Sequence, residues 1–541
     1  MKSTTVSTYE SRRNKKQTGN ALLDYKRFVR NLPSFDFYRP KVILTNIILI
    51  GLFNFSVGQG DEWSQQVFID PKTYSISDHL NNIRWKQADS MELGQLKEYH
   101  LPLLSQPNHT STDQSLRVSE NGRYFVEDNG KPFFWLGDTA WLMFSKLTKD
   151  EILTYLNDRQ AKGFNVIQAM LLHTMEVSTV DGVKALIANR ADRPLVSNNG
   201  RDYWDLVEFA IEEAGKRGMY MALVPIWGSN VKAGKINTTQ AEIYTHFLAL
   251  KFSRYQHIIW LNGGDLKGDD GREVWETIGH TLKKTMPHHL VTFHPRGRYS
   301  SADWFHDSVW LDFNMIQSGH KTYAQDTSSS DMRHFGEDNW RLIEEAYQRK
   351  PVKPILDGEP SYENIPHGLH DTTQLKWQAA DLRRYAYWSV LSGACGFTYG
   401  HNSIMQFYKN GQKEETAYGA SIDWTQALKA EGGSQMIVLK GIMEDVLKAS
   451  EIMPSPHWVI HQKDKYGYVP VLSSDHMTLA YTYTGAPFLL DAKLMPRIKS
   501  AQWVNPRNGV VSKAKPKIKK GLINIIPPSK REDWLIKIFH S

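Results

Sequence analysis

The chain has 541 residues, of which 41% are hydrophobic and 12% aromatic, so it is long enough to form two domains with a large core. Its formal net charge is +7, and residues 1–41 alone contain ten Lys or Arg against three acids, which matches the whole excess and argues against a nucleic-acid surface. The single cysteine, Cys395, excludes an intrachain disulfide framework, and its apolar neighbours predict a small buried side chain.

An apolar segment near the N-terminus predicts export. The basic residues 1–41 precede an apolar run at 42–57, which ends at Ser56-Val57-Gly58. A basic flank, a short apolar run and small residues at its end are the layout of a secretory signal peptide. The run is short for a membrane span, although an uncleaved anchor or a buried helix remains an alternative. We therefore interpret residues 1–60 as a leader with a signal peptide or anchor, and residues 61–115 as a polar linker.

Residues 116–450 alternate strand-like and helix-like segments. Short apolar runs without polar alternation are typical of parallel strands that are covered on both faces. Eight such runs with helices between them favour a (β/α)8 TIM barrel over an open doubly wound sheet, which would more usually have five or six strands. The predicted strands span residues 133–136, 166–172, 220–226, 257–261, 290–294, 311–316, 354–357 and 394–399.

Some of the predicted helices have recognisable starts. Thr148 with Glu151, and Thr239 with Glu242, each have the spacing of a capping box. After the fifth strand the helical pattern is weak, and we expect only a short helix near residues 301–307.

The predicted loops are long on one side only. The connections that leave the strands include long polar stretches at 173–201, 317–336 and 400–422, whereas the connections from helix to strand are short. In a barrel all the long loops meet at the mouth formed by the strand C-termini, where function is expected.

The pattern changes at about residue 451. Residues 451–541 contain short alternating segments separated by Gly, Pro, Asn and Lys, which predicts a small all-β sandwich domain. It has no evident carboxylate pair or histidine cluster, so we interpret it as an accessory domain.

Two carboxylates follow predicted strands in similar contexts. Asp265 comes after the fourth strand and two glycines, and Glu359 comes after the seventh strand and one glycine. Because the ends of barrel strands meet at one mouth, both acids can reach one substrate atom. Glycoside hydrolysis needs one acid to protonate the leaving oxygen and a second carboxylate to attack or to activate water. The alternative for each residue alone is a helix cap or a salt bridge.

Other polar and aromatic side chains that follow strands are expected at the same mouth, although each alone is more often structural, and Asp138 has a helix-capping alternative. The predicted substrate-binding residues are Asp138, Trp141, His173, Trp227, Asn262, His294, Arg296, Gln317, His320, Tyr362 and His401.

The sequence does not contain the motifs that are typical of several other classes of site. The chain has no HxH or HExxH spacing, so no metal is predicted, and no GxGxxG or GxxxxGK[ST] motif, so no nucleotide cofactor is expected. The segment Gly228-Ser229 is not a GxSxG elbow, which weakens the case for a serine hydrolase.

Several ordered motifs lie in residues 116–450: Gly122-Arg-Tyr-Phe125, Pro132-Phe-Phe-Trp-Leu-Gly-Asp-Thr-Ala-Trp141, Lys162-Gly-Phe-Asn-Val-Ile167, Trp260-Leu-Asn-Gly-Gly-Asp265, Thr292-Phe-His-Pro-Arg296 and Asp357-Gly-Glu-Pro-Ser-Tyr-Glu363. Together they resemble the apiosidase-like glycoside hydrolases, family 140 and its relatives of the DUF4038 group. The tail, with Trp503-Val-Asn-Pro-Arg-Asn-Gly509 and Asp533-Trp534, is similar to a small β-domain described as collagen-binding.

The resemblance implies a (β/α)8 barrel in which Asp265 matches the acid/base and Glu359 the nucleophile. It also implies plant cell-wall (pectic) glycans as substrates, with release of apiose from rhamnogalacturonan-II side chains as the characterised activity. We therefore expect an exported retaining glycosidase with an oligosaccharide or polysaccharide substrate, no cofactor, no nucleic-acid partner and no stable membrane span. The alternatives are a non-catalytic carbohydrate- or matrix-binding protein on the same fold, and a peptidase acting on collagen, for which the sequence has no metal or nucleophile motif.

Overall fold

The computed structural model describes residues 115–541 apart from 198–199, 332, 412–415 and 450, together with one antiparallel pair of strands, Trp85–Gln87 and Lys97–Tyr99. The predicted leader, its apolar segment and most of the linker lie outside the described residues. Among the described residues, no helix is both long and apolar enough to cross a bilayer. The described residues from 115 onward form one compact unit, which contains a barrel and two C-terminal sheets.

Eight parallel strands form the barrel, as the sequence predicts. They are β1 (Trp135–Thr139), β2 (Val166–Leu172), β3 (Tyr220–Ile226), β4 (Ile258–Leu266), β5 (Val291–Pro295), β6 (Asn314–Gln317), β7 (Ile355–Asp357) and β8 (Gly396–Tyr399). Their order in the sheet is β5-β4-β3-β2-β1-β8-β7-β6. The short strand Tyr299–Ser300 pairs antiparallel with β6 at the sheet edge. Between β5 and β6 there is no continuous ladder, but the Asp312 amide donates to the Val291 carbonyl over 2.9 Å.

Each strand is followed by one main helix, which covers the outer face of the barrel. Short helical turns at Met143–Lys146, Gly228–Lys232, Asn402–Met405 and Trp424–Ala427 lie in the loops at strand C-termini, and a 3₁₀ turn spans Ile187–Asn189. The main helices are α1 (Lys149–Ala161), α2 (Tyr203–Lys216), α3 (Thr238–Phe252), α4 (Arg272–Thr285), α5 (Ala302–Phe305), α6 (Asn339–Tyr347), α7 (Ala379–Leu391) and α8 (Glu431–Val446).

The observed ends of the elements confirm some sequence-based expectations and correct others. The capping box of Thr148 with Glu151 is present, and α5 is a single turn as expected. The prediction of a capping box at Thr239 and Glu242 was wrong, because α3 is capped two residues earlier by Asn237, whose side chain accepts from the Gln240 amide. Strand β4 extends to Leu266, well past the apolar run that predicted it.

A small antiparallel sheet precedes β1. Its strands are Leu116–Val118, Phe125–Glu127 and Pro132–Phe133. The ring of Phe125 meets that of Phe313 edge to face with centroids 5.0 Å apart, so this sheet packs at the N-terminal ends of the barrel strands.

The C-terminal region forms two antiparallel sheets that enclose a core with Trp458, Leu490, Ile525 and Ile538. Two 3₁₀ turns, Pro456–Trp458 and Lys465–Gly467, lie between the first strands. The strands are β9 (Ile452–Pro454), β10 (Val459–Ile460), β11 (Val471–Ser474), β12 (Met477–Thr482), β13 (Phe488–Asp491), β14 (Ile498–Val504), β15 (Val511–Lys513), β16 (Lys517–Lys519), β17 (Leu522–Ile525) and β18 (Trp534–His540). One sheet has the order β9-β11-β12-β18-β14-β15 and the other the order β10-β13-β17-β16.

The C-terminal sheets contact α6 and α7 of the barrel through a largely buried polar interface. Arg383 of α7 donates to both carboxylate oxygens of Asp533, over 2.8 and 2.9 Å. The Tyr481 hydroxyl donates to the same carboxylate over 3.0 Å, and its ring stacks on that of Tyr387 at 4.6 Å. A buried arginine and aspartate that are both fully paired fix the position of the two domains more strictly than apolar contacts alone.

Removal of the Asp533 carboxylate is expected to destabilise the protein strongly. In the variant Asp533→Ala the buried Arg383 has no counter-charge, and loss of one partner of such a pair costs about 3–5 kcal/mol. The measurement is the free energy of unfolding from urea or thermal denaturation. Asp445→Ala serves as the control, because Asp445 forms exposed ion pairs worth about 1 kcal/mol or less. Equal losses in the two variants would contradict the assignment.

Candidate active site

The C-terminal end of β4 presents Asp265 through an unusual backbone path. Gly263, Gly264 and Asp265 have positive φ angles of 94°, 129° and 52° in succession. A Cβ atom at Gly263 would lie 2.6 Å from the Phe293 ring, so no larger residue fits there. The left-handed conformation is unfavourable for a residue with a side chain, and such conformations concentrate at functional sites. The strand end therefore turns the Asp265 side chain out towards the barrel mouth, where it is exposed.

Glu359 lies just beyond the end of β7 and is buried, with 6% of its surface exposed. The His294 Nε2 atom, from β5, lies 2.7 Å from its Oε2 atom. The His320 Nε2 atom, from the loop after β6, lies 3.5 Å from its Oε1 atom. Each carboxylate oxygen of Glu359 is therefore faced by one imidazole nitrogen.

His294 also connects the two acids. Its Nδ1 atom accepts a hydrogen bond from the Asp265 amide over 3.3 Å, while its Nε2 atom faces Glu359. In that arrangement the neutral ring bears its proton on Nε2, which points to the carboxylate. The Nδ1 atom lies 3.1 Å from the Pro295 carbonyl as well, so a doubly protonated ring has an acceptor at each nitrogen.

The surroundings separate the pKa values of the two acids. Although Asp265 is exposed to solvent, the walls of the pocket surround its carboxyl group, and this desolvation, followed by the negative charge of Glu359, raises its pKa to about 6 against the opposing charges of His294 and His320. Burial also acts to raise the pKa of Glu359, but the close approach of His294 and then of His320 outweighs it and lowers that pKa to about 2. Two carboxyl groups with opposite shifts are the usual arrangement of an acid and an ionised partner.

Both acids line one pocket of about 510 Å³ at the C-terminal ends of the strands. This volume lies within the roughly 300–1,000 Å³ typical of small-ligand clefts. The sequence-predicted residues that line it are Trp141, Trp227, Asp265, Arg296, Gln317, His320, Glu359 and Tyr362, and His294 lies behind Glu359.

Aromatic rings form much of the pocket wall. The rings of Trp141, Trp227 and His294 contact one another, with centroids 5.4–5.5 Å apart. The Trp141 Nε1–H donates to the Tyr362 hydroxyl over 3.0 Å, and Tyr362 packs edge to face on His320 at 4.8 Å. Flat rings beside polar groups provide both an apolar surface and fixed hydrogen-bonding positions, as a sugar ring requires.

Comparisons with known proteins identify the family. Residues 119–448 match the family model "Apiosidase-like, catalytic domain". The chain belongs to the apiosidase-like family. Residues 454–538 match a second model, "Putative collagen-binding domain of a collagenase".

Solved structures agree with this assignment. A structure titled "Glycoside hydrolase" is 38% identical, with a TM-score of 0.75, and the match covers 80% of this chain and 98% of the other. A glycoside hydrolase family 5 protein from Bacteroides vulgatus is 36% identical, with a TM-score of 0.75 and coverage of 79% and 93%. A further glycoside hydrolase structure from the same organism, at 14% identity and a TM-score of 0.55, supports the fold alone. A comparison with curated proteins gives no match. The apiosidase-like barrel is thus the catalytic domain of a glycosidase.

Two of the predicted substrate-binding residues of the apiosidase-like barrel form contacts outside the pocket. Asp138 is fully buried, where its Oδ2 atom accepts from the Tyr155 hydroxyl over 2.5 Å and lies 3.5 Å from Arg159 Nη1. Burial raises the pKa of this carboxyl, against the charge of Arg159. Asn262 is also fully buried, and its Nδ2 atom donates to the Trp275 carbonyl over 2.8 Å. Both side chains hold barrel strands to the helices that cover them.

Two predicted histidines do not line the pocket either. His401 is buried and caps a short helix, with its Nδ1 atom accepting from the Ser403 amide over 3.1 Å. Burial lowers its pKa to about 3, so it is neutral near neutral pH. His173 is half-buried, and its carbonyl accepts from the Asn230 side chain over 3.0 Å.

The pocket also contains residues that the sequence analysis missed. Arg298 and Lys321 line it beside Arg296, and Tyr418 lies on the wall formed by the loop after β8. Burial, followed by the charges of Asp265 and Glu359, raises the pKa of Tyr418, which places its hydroxyl near both acids. The only indication in the sequence was that these residues lie in or beside the loops after β5, β6 and β8.

The loop of residues 318–338, which contains His320, contacts the C-terminal domain. Glu337 in this loop is buried, and its Oε1 atom accepts from the Tyr466 hydroxyl over 2.9 Å. Its Oε2 atom lies 2.6 Å from Arg384 Nη1, and the Tyr466 ring packs on that of Tyr323 at 5.4 Å. The C-terminal domain therefore supports a loop that forms part of the pocket.

Among the described residues, no group of three or more His, Cys, Asp or Glu side chains has the arrangement of a metal site.

The pKa values predict the pH dependence of the reaction. With Asp265 as the acid, kcat/KM is expected to fall as the pH rises through about 6, because the group loses its proton. On the acid side the profile should stay flat far below the ordinary pKa of a carboxyl, because Glu359 remains ionised down to about pH 2. The measurement is kcat/KM on one substrate across that range. A rate that increases between pH 6 and pH 8 would contradict the assignment.

Proposed function

We propose that the protein is an exported retaining glycosidase that acts on pectic glycans of the plant cell wall, with Asp265 as acid/base and Glu359 as nucleophile. The observation that supports this most is the opposite pKa shift of two carboxyl groups in one pocket, about 6 for Asp265 and about 2 for Glu359. The charge of Glu359 contributes to the shift at Asp265, so the two groups lie near enough to interact.

In the proposed mechanism, Asp265 and Glu359 act from the two sides of the anomeric carbon. Asp265 gives its proton to the glycosidic oxygen while Glu359 attacks the carbon, and the carbon–oxygen bond to the leaving group breaks. The product of this step is a glycosyl ester on Glu359. Asp265, now ionised, takes a proton from water, which attacks the anomeric carbon and releases Glu359 as a carboxylate.

His294 and His320 favour this cycle by stabilising the ionised nucleophile. They face its two oxygens at 2.7 and 3.5 Å. An ionised carboxylate is ready to attack, and it is also a good leaving group in the second step. Once the ester forms, Glu359 no longer carries a negative charge. The pKa of Asp265 then falls, because the charge of Glu359 was one of the causes that raised it. A lower pKa suits the change of Asp265 from acid to base.

The charges on one side of the pocket support an acidic substrate. Arg296, Arg298 and Lys321 all line the pocket. Arg298 pairs with Asp326 and Asp331, and Arg296 pairs with Asp331. Burial, followed by the charge of Arg298, lowers the pKa of Lys321 against the opposing charge of Asp326. Three cations thus stand beside two acids at this wall, so its formal charge is positive. A carboxylate-bearing sugar, such as a uronate, complements such a wall.

Export is proposed from the apolar run at 42–57 with its basic flank and small residues at the end. The N-terminal sequence of the secreted protein tests it and is expected to begin near residue 58.

Substitution of each acid tests the mechanism. Asp265→Asn and Glu359→Gln should each lower kcat by roughly 10³-fold or more, because each removes a group that acts in the transition state. Asp269→Asn is the matched control, since Asp269 is an exposed carboxylate a few residues beyond Asp265. The substrates are pectic oligosaccharides beside neutral glycans. Wild-type rates in both acid variants would refute the assignment of these two residues, whereas binding of a glycan without turnover by the unsubstituted protein would favour a binding protein on the same fold.

The stereochemistry of the product provides a separate test. NMR of the first-formed sugar should give the same anomeric configuration as the substrate, because two displacements restore it. An inverted first product would mean that Glu359 activates water instead of attacking the sugar.

A further inference from the structure

A long segment of the C-terminal domain contains basic residues and no acids. Between Asp491 and Glu532 the chain has eleven Lys or Arg and neither Asp nor Glu. The attribution of the net charge to residues 1–41 is therefore incomplete. The formal charge of the leader and this segment together is larger than the +7 of the whole chain, so the remaining residues have a net negative charge.

The fold places many of these cations on one rim of the sandwich. β15 is the edge strand of one sheet and β16 the edge strand of the other. The connection between Lys513 and Lys517 reaches at most about 14 Å, so the two edges are neighbours. Ala514 is buried in the sandwich core, whereas Lys513, Lys515, Lys517 and Lys519 are exposed. These four lysines are called the lysine rim.

The positive surface extends beyond the rim into a groove. A shallow cavity of about 600 Å³ runs beside β14 and β15, and both Lys499 and Lys513 line it. Lys493 and Arg497 are also exposed nearby in sequence. Ser500 and Gln502 also line the groove, and their side chains can form hydrogen bonds with hydroxyl groups.

Within the part of the chain that the structure describes, no ion pair joins an acid to the lysine rim, Lys493, Arg497 or Lys499. In the described part of the C-terminal domain, the basic residues that pair with acids are His476, Arg507 and Lys537. An ordinary solvated surface mixes both signs of charge, whereas a groove lined by one sign concentrates ligands of the opposite sign.

A structural role explains part of the pattern. Lysines on edge strands prevent strands of other molecules from pairing with them, which suits Lys513, Lys517 and Lys519. It does not explain Lys499, which belongs to β14, an inner strand of its sheet, or Lys493 and Arg497, which precede that strand.

We propose that the lysine rim and its groove bind an acidic polysaccharide, with uronate carboxylates opposite the lysines. The choice of polysaccharide over other polyanions rests on the proposed function, because the same chain contains a glycosidase with a positively charged pocket wall. Attachment to the polymer through this surface raises the effective concentration of substrate at the barrel without any change in the chemistry.

The test measures binding of the full chain to polygalacturonate, a neutral galactan and a DNA duplex by isothermal titration. An inactive background, Asp265→Asn with Glu359→Gln, prevents turnover, so that binding is read separately from hydrolysis. Replacement of the lysine rim by glutamine should weaken binding of polygalacturonate by about tenfold or more, as expected from four exposed charge pairs. The matched control replaces four exposed barrel lysines, Lys184, Lys232, Lys429 and Lys448, and should leave binding within about twofold, because the net charge changes equally.

Each outcome decides the proposal. Selective loss in the rim variant, together with weaker binding at higher salt and no binding of galactan, supports it. It is refuted if polygalacturonate does not bind, if the two variants bind equally, or if DNA binds as tightly as polygalacturonate. It is also refuted if the rim variant binds normally but self-associates in size-exclusion chromatography, since the lysines then serve only to protect the edges. If the protein does not hydrolyse pectic glycans, the proposed function fails, but binding in the inactive background can still be measured. The failure of one proposal can therefore be distinguished from the failure of the other.

Discussion

The active site depends on an ionised carboxylate in a buried position. Glu359 is shielded from water, and removal of a charge from water costs several kcal/mol unless neighbouring groups compensate for it. Here the compensation comes from two imidazole nitrogens, one opposite each oxygen. His294 comes from β5 and His320 from the loop after β6, so the charge on Glu359 is stable only when three adjacent barrel segments are correctly placed. The relative positions of the strand ends in the barrel therefore determine whether this charge can exist in the pocket.

Much of this arrangement follows from sequence patterns. The strands were predictable because both faces of a barrel strand are buried, which leaves long apolar runs such as that of β2. Asp265 and Glu359 were identified because glycine-flanked acids after such runs must lie at the mouth. The same positional argument placed Asp138 at the mouth as a substrate-binding residue, but this residue lies within β1 and pairs with Arg159 of α1. Successive side chains of a strand point to opposite faces, and position alone does not say which side faces the pocket.

The loops were beyond sequence reasoning for a different reason. Arg298 and Lys321 reach the pocket through irregular backbone that is fixed by distant ion pairs and, in part, by the C-terminal domain. Glu337 illustrates this: it accepts from Tyr466, more than a hundred residues away, and lies against Arg384, which is itself surrounded by aromatic rings from both domains. No local pattern encodes such contacts, because they exist only once the two domains are together. The sandwich, interpreted from the sequence only as an accessory domain, packs on the barrel, and its contacts extend to a loop that forms part of the pocket.

The backbone at Asp265 has an implication for the choice of side chain. Among residues with a Cβ atom, aspartate and asparagine adopt the left-handed region most readily, because their short polar side chains can bond locally. Glutamate has the same functional group, but it is less suited to this geometry and its carboxyl would extend one methylene further. The third consecutive left-handed residue of β4 thus restricts which acid evolution can place there. An exchange of Asp265 for glutamate would therefore place a longer side chain on a left-handed backbone, which costs about 1–2 kcal/mol, and would move the carboxyl group away from its present position.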